Sequence, residues 1–108
     1  MNDKILTLLG FASKAGKLSY GFDAVKTALM QSKSKIVLIA NDVSSKSKKE
    51  IEFFGEKFKT KALVLNDYDI ATVSHAVGKK CGIISVNDVS FADGLLAAIN
   101  VGRNLNDK

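Results

Sequence analysis

Apolar residues along this chain recur in two rhythms, one of helices and one of buried strands. Between residues 3 and 15, Ile5, Leu6, Leu8, Leu9 and Ala12 share one broad face at helical spacing. Gly16 stands where a left-handed C-terminal cap is expected, and Leu18-Ser19-Tyr20 follows as a short extended piece. Gly21 then opens a second helix over about 22–31, with Val25, Ala28 and Leu29 facing a core. Residues 35–40, Lys-Ile-Val-Leu-Ile-Ala, run apolar without alternation, as a strand does when helices cover both its faces. After the polar Asn41-Asp42-Val43-Ser44-Ser45, Ser44 or Ser45 is placed to cap a helix over about 46–58 with Ile51, Phe54 and Phe58 inward. Ala62-Leu63-Val64-Leu65 reads as the next strand. Asn66-Asp67 is expected to cap a helix running to Val77, with Gly78 ending it. Ile83-Ile84-Ser85-Val86 is a further strand, and a last helix carries Phe91, Leu95, Leu96 and Ile99 on one side.

Helices alternating with strands predict an α/β fold: a three-layer α/β/α sandwich around a mixed, mostly parallel four-stranded sheet. There is no proline and no Gly/Ser-rich linker, so residues 1–108 are read as one domain. In such folds ligands gather outside the carboxyl ends of strands. That directs attention to Gly21-Phe22 and to the 41–45 loop.

Charge narrows the class of partner. Residues 14–80 hold thirteen lysines against seven acids, whereas residues 81–108 are slightly acidic. A basic block of this kind favours a polyanion, because each phosphate contact releases condensed counterions. No apolar run is long enough to span a bilayer, and the start does not fit a secretory signal. Cys81 is the only cysteine, so no internal disulfide is expected and a cytoplasmic location is. A monomer, with no membrane and no DNA partner, is the expectation.

Catalytic chemistry finds little support. Neither a phosphate-binding loop nor a dinucleotide fingerprint is present. His75 sits near a helix end without a serine–carboxylate partner, and Cys81 reads as a small packing residue. One histidine and one cysteine do not make a metal site of usual spacing. No metal, no cofactor and no enzymatic activity are therefore expected. Gly21 differs, since a glycine at a helix start lets a phosphate or base approach the backbone N–H groups. Lys26 lies one turn further on, and Asp23 can accept from guanine. Lys46, Lys48 and Lys49 fall in the first turn of a helix, where the dipole disfavours cations, so phosphate contacts explain them better than stability does. Partial pairing with Glu50, Glu52 and Glu56 is the plainer alternative. Lys79 and Lys80 add a second basic prong after Gly78.

At these residues the chain resembles the kink-turn RNA-binding ribosomal protein family of the "L seven Ae" type, and within it the small bacterial YlxQ-like branch. The matching pieces are residues 8–18, Gly21 to Val25, Ser34 to Val43 with the basic helix start behind it, and His75 to Lys79. The resemblance runs over residues 5–100. It implies that Gly21, Phe22, Asp23 and Lys26 enter a widened major groove beside tandem sheared G·A pairs. It further implies that Asn41, Asp42, Val43 and Ser44 contact the same pairs, with Lys46, Lys48 and Lys49 behind them. Val77, Gly78, Lys79 and Lys80 would belong to a loop covering a flipped-out nucleotide, in keeping with recognition of irregular RNA by shape and splayed bases.

The chain also departs from the archaeal pattern. Ala24 replaces a glutamate, and Lys26 precedes by one residue the usual lysine position, held here by Thr27. That shift turns the side chain by about 100° around the helix. The loop at Lys79-Lys80-Cys81-Gly82 is shorter than in archaeal members. These changes imply a weaker grip on a kink-turn or a different preferred RNA. Taken together, the expectation is a non-catalytic, ribosome-associated protein binding ribosomal RNA or another kink-turn-containing RNA. Two rivals are a receiver-like signalling domain and a detached RNA-recognition subunit working with a separate RNA-modifying enzyme.

Overall fold

The computed structural model describes the backbone of residues 3–106 and the side chains up to residue 100. Its elements alternate as the apolar rhythm predicts: α1 (Lys4–Lys14), β1 (Leu18–Tyr20), α2 (Phe22–Met30), β2 (Ile36–Ala40), α3 (Ser45–Lys57), β3 (Ala62–Leu65), α4 (Ile70–Val77), β4 (Ile83–Val86) and α5 (Val89–Asn106). The punctuation is chemical. Asp3 caps α1 by accepting from the Leu6 amide at 3.0 Å, and Ser44 caps α3 by accepting from Ser47. Gly16 and Gly78 take the left-handed conformation just past α1 and α4, which glycine adopts without a Cβ penalty.

The four strands lie in the order β1-β4-β2-β3. Strand β2 pairs parallel with β3, but β4 runs antiparallel to both β1 and β2. The expected sheet is therefore mixed but not mostly parallel in its pairing: two of its three ladders are antiparallel. The physical reason is the tight exit from α4. The Ser74 hydroxyl accepts from the Cys81 amide and donates to the Cys81 carbonyl, while Gly78 and Lys79 donate to the Ser74 carbonyl. The chain thus reverses beside α4 and re-enters the sheet at the end where β3 left it. Because β1, β2 and β3 still share one direction, their carboxyl ends and the start of β4 meet at one end.

Alternation along the strands divides the core. Ile36, Leu38 and Ala40 of β2 join Leu9, Ala12, Val73, Ile84 and Leu95 under α1, α4 and α5. Val37 and Ile39 face the other way, onto Val25, Leu29 and Ile51 of α2 and α3. All five residues of β2 are buried, which accounts for its unbroken apolar run. Helix α4 begins two to three residues later than the sequence suggests. Its cap is Asp69, which accepts from the Thr72 amide at 2.8 Å, not Asn66-Asp67. Residues 66–68 are drawn into a turn instead, with Tyr68 donating to the Leu65 carbonyl and accepting from the Asn41 amide.

Candidate nucleic-acid interface

Four connections converge on the end of the sheet shared by the carboxyl ends of β1–β3. Neighbouring strands are about 4.8 Å apart, so these connections lie within roughly 15 Å of one another. Backbone bonds tie them together: Gly21 donates to the Ile83 carbonyl, Ala40 to Gly82, and Asn41 to Tyr68. The three segments singled out in the sequence, 21–26, 41–49 and 77–80, are thus neighbours in space.

At the first segment, Gly21 precedes α2 with φ 88° and ψ 163° and offers no side-chain cap. This region of backbone space is essentially restricted to glycine. A Cβ there would meet nothing within 4 Å, so glycine is needed for the conformation and the space in front of it is open. Asp23 and Ala24 are exposed, whereas Phe22 packs against the α2–α3 core. The Lys26 ammonium sits 4.6 Å from the centre of the Phe54 ring, a cation–π contact that holds it half-buried beside α3.

The second segment is pinned from beneath. The Asn41 amide nitrogen donates to the Asn66 carbonyl at 2.9 Å, which leaves its side-chain oxygen to accept from a base. The Asp42 carboxylate accepts from the Ile70 amide at 2.8 Å, so it holds the loop against α4. Lys46 and Lys49 are exposed and Lys48 is half-buried, with no acidic residue in the first turn of α3.

In the third segment the Val77 side chain is buried in the core and its carbonyl accepts from the Ser13 hydroxyl at 2.7 Å. Gly78, Lys79 and Lys80 are exposed. The Lys79 ammonium lies 5.2 Å from the Tyr20 ring centre. Cys81 is buried, and burial pushes its thiol up despite the lowering influence of Lys79. His75 is exposed on the last turn of α4, away from any acid–base arrangement. Among the described residues no three potential metal ligands cluster, and no helix is long and apolar enough to cross a membrane.

The sequence profile of the ribosomal protein L7Ae/L30e/S12e/Gadd45 family matches residues 3–93. The chain belongs to this family. Among its relatives is an RNA-binding protein YlxQ from Enterococcus faecium, 29% identical over 82% of this chain and 84% of that one. Another is the large ribosomal subunit protein eL30 of Candida glabrata, 32% identical over 82% of this chain and 86% of its own length. Two solved structures share the fold. A protein of unknown function from Bacillus halodurans superposes with a TM-score of 0.86 at 26% identity, covering 92% of this chain and 99% of that one. The 15.5kD RNA binding protein of Giardia lamblia gives 0.74 at 12% identity, covering 97% and 92%, and so speaks to the fold alone.

In this L7Ae-family member several residues that shape the interface carry no signal in the sequence. Gly82 is the clearest. A Cβ there would lie 2.8 Å from the Val43 methyl and 2.9 Å from Ile70, so the 41–44 loop and the start of α4 close over it. Ser13 links the Tyr20 hydroxyl to the Val77 carbonyl and thereby steadies the ring under Lys79. Tyr68 donates to Asp3 at 2.6 Å, tying the 66–69 turn to α1. Burial, then that hydrogen bond and the Asp3 charge, hold its phenol well above the ordinary tyrosine range. Most of these partners lie far apart in the chain, beyond the reach of local spacing rules.

Proposed function

We propose that this protein binds folded RNA containing tandem sheared G·A pairs, a kink-turn or a close relative, and performs no chemistry on it. One observation carries the reading: three segments, separated in sequence, present Gly21, Asn41 and the lysines at 26, 46, 48, 49, 79 and 80 around a single end of the sheet. The open amides at the start of α2 suit a phosphate or a base edge. Asn41 supplies an acceptor, Lys46 to Lys49 supply phosphate contacts, and Gly78 to Lys80 cover the flank. Asp42 and Ser44 act as positioning residues for their loop. The names of the YlxQ and eL30 relatives support RNA, and the ribosomal relatives support attachment to the ribosome. Recognition by loops fits RNA, whose A-form major groove is too narrow for side chains unless widened.

The test compares two RNAs that differ only in the paired G·A steps, sheared in one and Watson–Crick in the other. The sheared RNA is expected to bind at least tenfold tighter, about the 1–3 kcal/mol of one good base-edge contact. Equal affinities would leave only non-specific polyanion binding.

A further inference from the structure

We infer that the opposite end of the sheet, where Lys35, Lys59 and Lys61 line a groove of about 330 Å³ and exposed Lys33 lies two residues before Lys35, is a second surface for an RNA backbone. This rests on the RNA-binding reading of the loop end and extends it: one protein would hold two segments of the same RNA.

The juxtaposition comes from the parallel pairing of β2 and β3. Val37 donates to the Lys61 carbonyl at 2.9 Å, so the segments carrying Lys33 and Lys35 and those carrying Lys59 and Lys61 enter the sheet side by side. All four lysines are exposed. Ile36 and Leu96 floor the groove, and Asp93 stands on its α5 wall, confining an anion to the strand side. Like charges on adjacent strand starts repel one another, so their proximity works against stability.

The backbone at this end shows a similar cost. Ser32 and Lys59 occupy left-handed conformations, with φ of 59° and 57°. Each closes a helix as Gly78 does at α4: Lys33 donates to the Ala28 carbonyl, and Thr60 to the Gly55 carbonyl. Glycine is the unstrained residue for that position, yet a lysine stands there. Between Lys33 and Lys35, Ser34 is buried with its hydroxyl unpartnered. Local rules broken together without a packing gain mark a functional surface.

Lysine ammoniums are mobile point charges suited to scattered phosphates. Residues 35 and 41 are separated by about 20 Å of extended chain, less than the length of a duplex arm of ten base pairs. An RNA anchored at the loop end therefore brings further phosphates to the second surface at high effective concentration.

A short hairpin carrying only the sheared G·A motif and the same motif with a long flanking arm separate the two ends. The double variant Lys59→Gly with Lys61→Gln is measured against the parent for affinity and salt dependence. It is expected to bind the short RNA within twofold of the parent. The extended RNA should bind about tenfold more weakly, with a log–log salt slope flatter by about 1.8 for two lost phosphate contacts. Lys59→Gly relieves the left-handed backbone, so the denaturation midpoint of that single variant should not fall, and retained affinity of the double variant for the short RNA shows that lost binding to the extended RNA is not unfolding. Unchanged affinity and slope on the extended RNA overturn the inference. Polyglutamate competing for this surface as well as polyuridine does, at equal charge, overturns its assignment to RNA. A protein that ignores the sheared pairs but responds to the double variant refutes only the kink-turn reading. The reverse pattern refutes only the second surface.

Discussion

Helices α2 and α4 start at the same end of the sheet and satisfy their first amides in opposite ways. At α4 the protein supplies two carboxylates, Asp69 to the Thr72 amide and Asp42 to the Ile70 amide. At α2 it supplies none, and the preceding residue is a glycine in a backbone state that excludes side chains. Helix α3 lies between these extremes, with a Ser44 cap followed by three lysines that its dipole disfavours. The difference teaches where stability and binding part company. Amides closed by the protein's own acids anchor the scaffold, and amides left to solvent are available to an RNA phosphate or base.

Substitution at Gly21 should break this comparison most severely. Gly21→Val forces a β-branched residue into a glycine-only region and is expected to lower folding stability by about 1–3 kcal/mol in urea unfolding. Affinity of the remaining folded protein for sheared G·A RNA should drop more than tenfold. Unaltered affinity would remove α2 from the interface. A smaller effect is expected on the α4 side. Asp42→Ala should reduce stability by about 1 kcal/mol through loss of a cap, with RNA affinity changing less than threefold. A collapse of affinity with stability intact would mean that Asp42 faces the RNA instead of α4.

The smallest effect concerns pH. Hydrogen bonds from Thr72, chiefly from its backbone, hold the Asp69 carboxyl below the usual carboxylate range. Its folded value is depressed, so its contribution is present above the unfolded value near 3.9 and fades as pH falls through the folded one. Acid unfolding followed by circular dichroism should therefore be less steep in Asp69→Asn than in the parent. Coincident curves would show that this exposed cap contributes nothing.

Much of the scaffold was legible because local and tertiary forces agree. The unbroken apolar run of β2 and the glycines that close α1 and α4 each point to one answer. Agreement fails where several residues compete for one role. Asn66, Asp67 and Asp69 are all N-cap types, and what selects Asp69 is the grip of Asn41 and Asp42 from a distant loop. The direction of β4 was equally hidden. Strands alternating with helices suggest parallel crossovers, whereas the Ser74–Cys81 bonds turn the chain back. Site residues showed the same split. Gly21 and the lysines announce themselves by type, but the placement of Lys26 over Phe54 and Lys79 over Tyr20 depends on packing that no spacing rule encodes.

The crowding around Gly82 separates what can be redesigned here from what cannot. Lys46, Lys49 and Lys80 are exposed on segments that other residues hold in shape, so their side chains can be exchanged to seek other RNA targets. Gly82 touches no ligand in the proposed binding mode, yet even an alanine there would wedge Val43 away from Ile70 and splay two loops at once. A library built for retargeting should randomise the former and leave this one position untouched.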